Sequence, residues 1–181
     1  MNSMNLDLSA VLLDEHRIQT RVREIGAQIA MEYKDTVPVL IGIMKGGFMF
    51  LADLCRSLTI PLELDFMAVS SYNGGTSSSG AVKIRKDIDT NIEGRHVIVV
   101  EDIVDSGLSL SYIREYLLNH SPASLKICVL LDKPGAHKME ALFDYVGFQI
   151  ENDFVVGYGL DYKNLYRNLP YIGILKEEIY S

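Results

Sequence analysis

The residues with the clearest chemical potential lie in the segment 97–110, where an apolar stretch ends in Glu101 and Asp102. The next acid, Asp105, is followed at 106–109 by Ser-Gly-Leu-Ser. Free backbone N–H groups at a helix start, two hydroxyls and a glycine are the ingredients of a phosphate-binding loop. Adjacent carboxylates at a strand end point to opposite faces, and their oxygens suit sugar hydroxyls or a hydrated divalent cation. The segment predicts a site for a phosphorylated sugar, with an ordinary helix N-cap at Asp105 or Ser106 as the alternative.

The elements that would position such a site follow from the hydrophobic pattern. Strands that alternate with helices of about three turns imply βαβ units, a mainly parallel sheet and an α/β fold class. In such a sheet, ligands bind beyond the carboxyl ends of the strands. The pattern predicts helices over 14–33, 48–58 and 112–118, and strands over 37–43, 62–70, 96–100, 125–131, 145–150 and 154–158.

Composition sets limits on partners and location. The chain has 181 residues, a formal net charge of -7 and 48% hydrophobic residues, which is typical of one globular domain. This acidity argues against nucleic acid and anionic membranes as partners, because the average surface would repel polyanions. Cys55 and Cys128 lie in apolar company, and no run of about 18 apolar residues occurs, so we expect a cytoplasmic protein with reduced thiols.

A second distinctive segment, residues 70–80, consists mostly of serine, threonine and glycine, with Tyr72 as its single large side chain. It lies between two predicted strands. Both a flexible surface connection and a mobile lid over a site have this composition, so the two interpretations stay open.

Five stretches together resemble the type I phosphoribosyltransferases, and more narrowly the bacterial-type hypoxanthine-guanine phosphoribosyltransferases. Several matching stretches in the right order are more specific than any single motif. The resemblance implies a mainly parallel twisted sheet flanked by helices, in one domain with a core over 35–150 and a small hood formed by the N-terminal segment and residues 151–181. The stretches are Ile-Gly-Ile-Met-Lys-Gly-Gly at 41–47, Ser71-Tyr72, residues 97–110, Leu-Leu-Asp-Lys at 130–133, and residues 154–167.

The resemblance also implies an activity. Enzymes of this family transfer the 5-phosphoribosyl group of 5-phospho-α-D-ribosyl 1-diphosphate to hypoxanthine or guanine, use magnesium, and release diphosphate with IMP or GMP. The transition state is similar to an oxocarbenium ion, with negative charge building on the diphosphate. Family members are homodimers or homotetramers. Mammalian relatives have a lysine where this chain has Asp153, so the preference between the two bases stays open.

Roles at the base carry over position by position. Asp105 matches the catalytic carboxylate that holds or accepts the purine N7 proton. Lys133 matches the lysine that donates to the purine O6, which selects 6-oxopurines over 6-aminopurines. Phe154 matches the aromatic residue that stacks on the purine, and Val155 matches the residue whose carbonyl meets the base edge.

The resemblance assigns the remaining residues to ribose, phosphates and metal. Glu101 and Asp102 match acids that bind the ribose hydroxyls directly or through magnesium, and Asp161 matches an acid that meets magnesium through water. The family also has a non-proline cis peptide bond before the lysine of its diphosphate loop. The 5-phosphate loop corresponds to Ser106, Gly107, Leu108 and Ser109, the diphosphate contacts to Lys45, Gly46 and Arg167, and the lid to Ser71 and Tyr72.

Two other functions compete with this one. A non-catalytic regulator of the same fold would sense phosphoribosyl diphosphate and bind nucleic acid, with a basic face and without the catalytic acid or the base-contacting lysine. This chain is acidic and keeps Asp105 and Lys133, which favours the enzyme. A relative acting on orotate or uracil is disfavoured by Lys133 and by the segment 154–161.

Overall fold

Two β-sheets organise residues 3–71, 82–138 and 143–181, the part of the chain that the computed structural model describes. Short 3-10 turns cover Ser3–Asp7 and Pro134–Ala136. The elements are β1 (Leu8–Leu13), α1 (Glu15–Glu32), β2 (Val39–Met44), α2 (Phe48–Ser57), β3 (Glu63–Ser71), β4 (Val82–Lys86), β5 (His96–Val104), α3 (Leu108–Leu118), β6 (Ser124–Asp132), β7 (Tyr145–Gln149), β8 (Val155–Val156), β9 (Ile172–Leu175) and α4 (Glu177–Tyr180).

The larger sheet has the strand order β4-β3-β2-β5-β6-β7. Strands β3, β2, β5, β6 and β7 are parallel to one another, and β4 pairs antiparallel with β3 at the edge. The smaller sheet, in the order β1-β9-β8, is antiparallel and joins the N-terminal segment to the C-terminal one. The predicted α/β class with a mainly parallel sheet flanked by helices is confirmed.

Helix α1 forms where the apolar spacing predicted it. Its buried residues include Ile18, Val22, Ile25 and Ile29, which recur every three or four positions and so share one face. The Asp14 side chain accepts a hydrogen bond from the backbone N–H of Arg17 at 2.8 Å and caps the helix start.

The large sheet is covered on both faces, which explains the continuous apolar runs of its central strands. On one face, Ile98 packs in a core cluster with buried residues of α1 and α2, including Ile25 and Leu54. On the other face, Val99 packs in a second cluster with α3 residues such as Ile113. Alternate residues of β5 thus enter different cores.

The strand that carries the acidic pair is longer than the sequence predicted. Strand β5 runs to Val104, so Glu101 and Asp102 lie inside it rather than at its end. The cause is the partner strand, because β6 continues to pair with β5 as far as Val104 and Asp132. The predicted end at residue 100 was wrong. Charged side chains interrupt the apolar run there, but the backbone pairing with β6 continues.

Other bounds also differ from the predictions. Helix α3 begins at Leu108, four residues before the predicted start, and the predicted strand over 154–158 is reduced to Val155–Val156. Three strands were not predicted, namely β1, β4 and β9. Two of them, β1 and β9, pair with each other across almost the whole chain, which local periodicity cannot reveal.

A search of the described helices found none with the length and apolar character needed to cross a membrane.

The buried carboxylate of Asp65, in β3, joins that strand to the chain beyond β4. It accepts hydrogen bonds from the backbone N–H groups of Phe66 at 2.7 Å, Asp89 at 2.8 Å and Thr90 at 2.7 Å. Burial acts to raise the pKa of Asp65, but these donors outweigh it and hold the pKa below its ordinary value.

We expect Asp65→Ala to lower the free energy of unfolding by about 2–3 kcal/mol at neutral pH, because three N–H groups lose a charged acceptor. Because the pKa is lower in the folded state than in the unfolded one, the stabilisation is present above the unfolded pKa of about 3.9 and is lost as the pH falls through the folded value. Urea unfolding of both proteins across this pH range measures the difference. Glu93→Gln, at an exposed position, is the control. A difference that stays constant with pH would contradict the role given to the charge.

Candidate active site

Two cavities lie side by side at the carboxyl ends of the central strands, and they share Ile103 and Asp105. The first has a volume of about 300 Å³ and lies between the end of β2, the end of β5 and the start of α3. Its lining residues are Ile43, Met44, Val69, Glu101, Ile103, Val104, Asp105, Ser106, Gly107, Ser109, Leu110 and Ile113.

The loop that enters α3 lines the first cavity with Ser106, Gly107 and Ser109. The N-cap of α3 is Gly107, in the left-handed conformation at φ 77°, which glycine adopts without strain. The N-cap residue is therefore neither Asp105 nor Ser106, although the Ser106 hydroxyl accepts a hydrogen bond from the backbone N–H of Leu108, in the first turn, at 3.5 Å. The other N–H groups at the start of a helix have no partner within the helix, and such groups suit an anion such as a phosphate. Leu108 is 39% exposed and does not line the cavity.

The second cavity has a volume of about 250 Å³ and collects the residues predicted to contact the base. Lys133 is 9% exposed, and its ammonium Nζ lies 3.0 Å from Oδ1 of Asp105. Phe154 and Val155 come to the same cavity at the start of β8, and Ile103 of β5 also lines it. The lining residues are Asp102, Ile103, Asp105, Lys133, Phe154, Val155, Leu160 and Asp161.

The adjacent acids Glu101 and Asp102 divide between the two cavities. Glu101 lines the first and Asp102 lines the second, as expected for neighbours on a strand. Burial raises the pKa of Glu101 well above its ordinary value, and the neighbouring Asp102 charge adds to the effect. Burial also raises the pKa of Asp102, and the Arg167 charge opposes that rise. The pair would therefore be stabilised by a cation.

The three predicted metal ligands have the right chemistry for magnesium, which prefers oxygen donors. They do not form a ready-made cluster. Oδ1 of Asp161 lies 2.5 Å from Nη2 of Arg167, and its other oxygen accepts the backbone N–H of Asn164 at 2.7 Å. Across the described residues, no group of three or more His, Cys, Asp or Glu side chains is arranged to hold a metal ion. The metal assignment stays a prediction.

The loop between β2 and α2 carries Lys45 and Gly46. The Met44–Lys45 peptide bond is cis, as the resemblance predicted, and Lys45 is exposed. Gly46 packs directly on Asp102, because a Cβ atom at this position would lie 1.6 Å from Oδ2 of that residue. A glycine is therefore required here for the loop to approach β5.

The segment after β8 closes over the β2–α2 loop. A Cβ atom at Gly159 would lie 2.2 Å from the backbone oxygen of Gly46, so the two backbones are in close contact. Arg167 donates through Nη1 to the Gly159 carbonyl at 2.6 Å. The Tyr158 hydroxyl donates to Oδ2 of Asp53 on α2 at 2.6 Å, which fixes this segment to the helix that follows Lys45 and Gly46.

Two of the predicted positions lie at or beyond the edge of what the structure describes. Ser71 is the last residue of β3, while Tyr72 lies outside the described residues. The lid interpretation of 70–80 therefore stays a prediction.

Ile103 lines both cavities but was not among the predicted site residues. Its position directly after the acidic pair was the available signal, since strand alternation puts it on the same face as Glu101. The strand was predicted to end too early for that argument to be made.

Comparison with known proteins agrees with the fold. The family model described as "Phosphoribosyl transferase domain" matches residues 10–163. A hypoxanthine-guanine phosphoribosyltransferase of Bacillus subtilis (strain 168) is 51% identical over 178 residues, covering 98% of this chain and 99% of the relative. One from Streptococcus pyogenes serotype M3 is 47% identical over 175 residues, covering 97% of each chain.

Among solved structures, the crystal structure of a hypoxanthine phosphoribosyltransferase from Staphylococcus aureus matches with a TM-score of 0.95 and 49% identity, covering 100% of this chain and 99% of that one. The fold and the family model define a phosphoribosyltransferase domain. With such identity over nearly the full length, the chain belongs to the hypoxanthine-guanine phosphoribosyltransferase family. The predicted family and the prediction of an enzyme rather than a regulator are confirmed.

The contact between Gly46 and Asp102 generates a test of the site. We expect Gly46→Ala to lower kcat/KM for phosphoribosyl diphosphate on the order of 10²-fold, because the added Cβ displaces Asp102 and the loop from their positions. Steady-state kinetics with this substrate measure the loss.

Gly135→Ala is the matched control, because the nearest atoms to its added Cβ belong to the Asn152 side chain, at 3.3 Å and beyond. We expect it to keep activity near that of the unaltered protein. A Gly46→Ala protein with unchanged kinetics would contradict the close packing described here.

Proposed function

We propose that this chain transfers the 5-phosphoribosyl group of 5-phospho-α-D-ribosyl 1-diphosphate to N9 of hypoxanthine, and of guanine, in purine salvage. The bond from N9 to the anomeric carbon forms, the bond from that carbon to diphosphate breaks, and IMP or GMP results. The observation that carries the proposal is the meeting of the two cavities at Asp105 and Ile103, one beside a phosphate loop and one beside Lys133 and Phe154.

The phosphates would bind to backbone N–H donors and to two positively charged side chains. Ser106, Gly107 and Ser109 line the first cavity at the N-terminus of α3, where the helix dipole favours an anion. The diphosphate would meet Lys45, the Gly46 backbone and Arg167. The close contact of Gly159 with Gly46, and the hydrogen bond from Arg167 to Gly159, support a shared diphosphate site.

The purine would enter the second cavity. The buried ammonium of Lys133 is a donor for the O6 atom of a 6-oxopurine, whereas the amino group of adenine would face it as a second donor. Phe154 offers a ring for stacking, and the Val155 carbonyl offers an acceptor for the base edge.

Asp105 is positioned for the chemical step. It borders both cavities, so its carboxylate would lie between the ribose carbon and the purine N7. There it would accept the N7 proton and stabilise the positive charge on the ribosyl group. The contact of its Oδ1 with Lys133 Nζ at 3.0 Å supports this role, because it would hold the carboxylate beside the base.

Magnesium is part of this proposal. Glu101 and Asp102 would hold the ion or the ribose hydroxyls, and Asp161 would meet an ion through water near the diphosphate. When bound, the ion would neutralise negative charge on the leaving diphosphate. The raised pKa of Glu101, caused by burial beside Asp102, supports a cation requirement at this pair.

The proposal extends to the organisation of the protein. One domain would consist of a core over 35–150 and a hood from the N-terminal segment and 151–181, which the separate β1-β9-β8 sheet supports. Two or four copies would assemble, as in the family. The free thiols of Cys55 and Cys128 support a reducing, cytoplasmic location.

Incubation with phosphoribosyl diphosphate and magnesium, with each of hypoxanthine, guanine, xanthine, adenine and orotate, tests the activity directly. We expect nucleotide from hypoxanthine and guanine, none from orotate, and no product once a chelator removes the metal. The absence of product from every 6-oxopurine would refute the proposal.

Asp105→Asn tests the catalytic carboxylate. We expect kcat to fall roughly 10²-fold or more while phosphoribosyl diphosphate binding stays largely intact, because the amide is too weak a base for the N7 proton. Glu115→Gln, at an exposed position on α3, is the matched control and should keep full activity. Unchanged turnover in Asp105→Asn would remove this residue from its proposed role.

Lys133→Met tests the choice of base. We expect kcat/KM for hypoxanthine to fall roughly 10- to 100-fold, because a charged hydrogen bond to O6 is lost. Lys34→Met removes an exposed lysine far along the chain and serves as the control. Equal kinetics in Lys133→Met and the control would exclude an O6 contact.

A further inference from the structure

The ring of Phe154 contacts two aromatic side chains, one of which comes from the C-terminal helix α4. Tyr180, on α4, stacks on Phe154 with ring centroids 4.8 Å apart and an angle of 20° between the planes. Tyr162 contacts the same ring at 90°, with centroids 5.6 Å apart. Phe154 thus belongs to a small aromatic cluster of these three residues.

The backbone holds Tyr180 in this place. The N–H of Leu175 donates to the carbonyl of Phe154 at 2.8 Å, and β9 continues this pairing along β8. The next N–H, of Lys176, donates to the Asp7 carbonyl at 2.9 Å. The short helix α4 therefore starts from a point that is tied on both sides, and Tyr180 reaches back over Phe154.

Tyr180 does not line the second cavity, in which the purine would bind. Phe154 lines that cavity together with Lys133, Asp105 and Ile103, whereas Tyr180 lines a separate open surface depression with Lys176 and Glu178. The tyrosine therefore covers part of the Phe154 ring without lining the cavity that Phe154 and Ile103 share.

We propose that Tyr180 is a positioning residue for the purine, because its ring stacks on Phe154 from outside the cavity and holds the Phe154 ring ready to stack on the base. This inference rests on the proposed function. A phenylalanine that is 37% exposed has freedom to rotate about its side-chain bonds, and ordering it upon binding costs affinity. Tyr180 removes that freedom before the base arrives.

The inference predicts that removing the Tyr180 ring changes the KM for the purine base and no other kinetic constant. Aromatic pairs of this kind contribute about 0.5–1.5 kcal/mol, so Tyr180→Ala should raise the KM for hypoxanthine roughly two- to tenfold. The KM for guanine should rise by the same factor, because stacking does not distinguish the substituents of the ring. The KM for phosphoribosyl diphosphate and kcat should stay within about twofold of the unaltered protein.

Two further variants separate positioning from general stability. Tyr180→Phe keeps the stacked ring and should restore the KM for both bases. Tyr112→Ala is the control. Tyr112 is 37% exposed, close to the 38% of Tyr180, and it also stacks on an aromatic side chain, but it lies on α3. This control variant should leave the KM for both bases unchanged even where it lowers the melting temperature.

Three results would overturn the inference: an unchanged purine KM in Tyr180→Ala, an equal rise in the KM of both substrates, or no rescue by Tyr180→Phe. An unaltered protein that forms no nucleotide from any 6-oxopurine would instead refute the proposed function, so the two failures are distinguishable.

Discussion

Lys133 and Asp105 meet because β5 and β6 stay paired to their last residues. Val104 lies opposite Asp132 in the parallel ladder, and the backbone N–H of Lys133 donates to the Val104 carbonyl at 3.1 Å. This bond extends the register of the sheet one residue beyond the strand. The ammonium and the carboxylate are thereby brought within 3.0 Å, although lysine has a flexible side chain with considerable rotamer entropy. The second cavity depends on this pairing for the position of two of its lining residues.

The segment after β8 packs on the β2–α2 loop through close backbone contact. Glycine at 46 and 159 lets this segment lie directly on the loop, and the hydrogen bond from Tyr158 to Asp53 fixes it to α2. The same segment carries Arg167. Burial acts to raise the pKa of Asp53, but hydrogen bonds from Tyr158, Gln19 and Arg56 outweigh it and hold that pKa below its ordinary value, so the carboxylate stays an acceptor near neutral pH.

Much of this arrangement could be predicted from local patterns. The buried face of α1 and the buried run of β2 could be predicted because each depends on neighbours a few positions away. The end of β5 could not be predicted in this way, because Glu101 and Asp102 interrupt the apolar run while the pairing of β5 with β6 continues to Val104. Strands β1 and β9 escaped prediction because each is stabilised by pairing with the other rather than by its own pattern.

The amino-acid order alone was sufficient for the α/β class, the family and the chemical groups available for binding and catalysis. Long-range packing assigned those groups to their positions: Glu101 and Asp102 to different cavities, Gly107 rather than Asp105 to the N-cap of α3, and Tyr180 to the ring of Phe154. The physical reason is that periodicity reports which face a residue occupies within its own element. Which faces then meet depends on strand order and register, and these arise only when distant segments pack together.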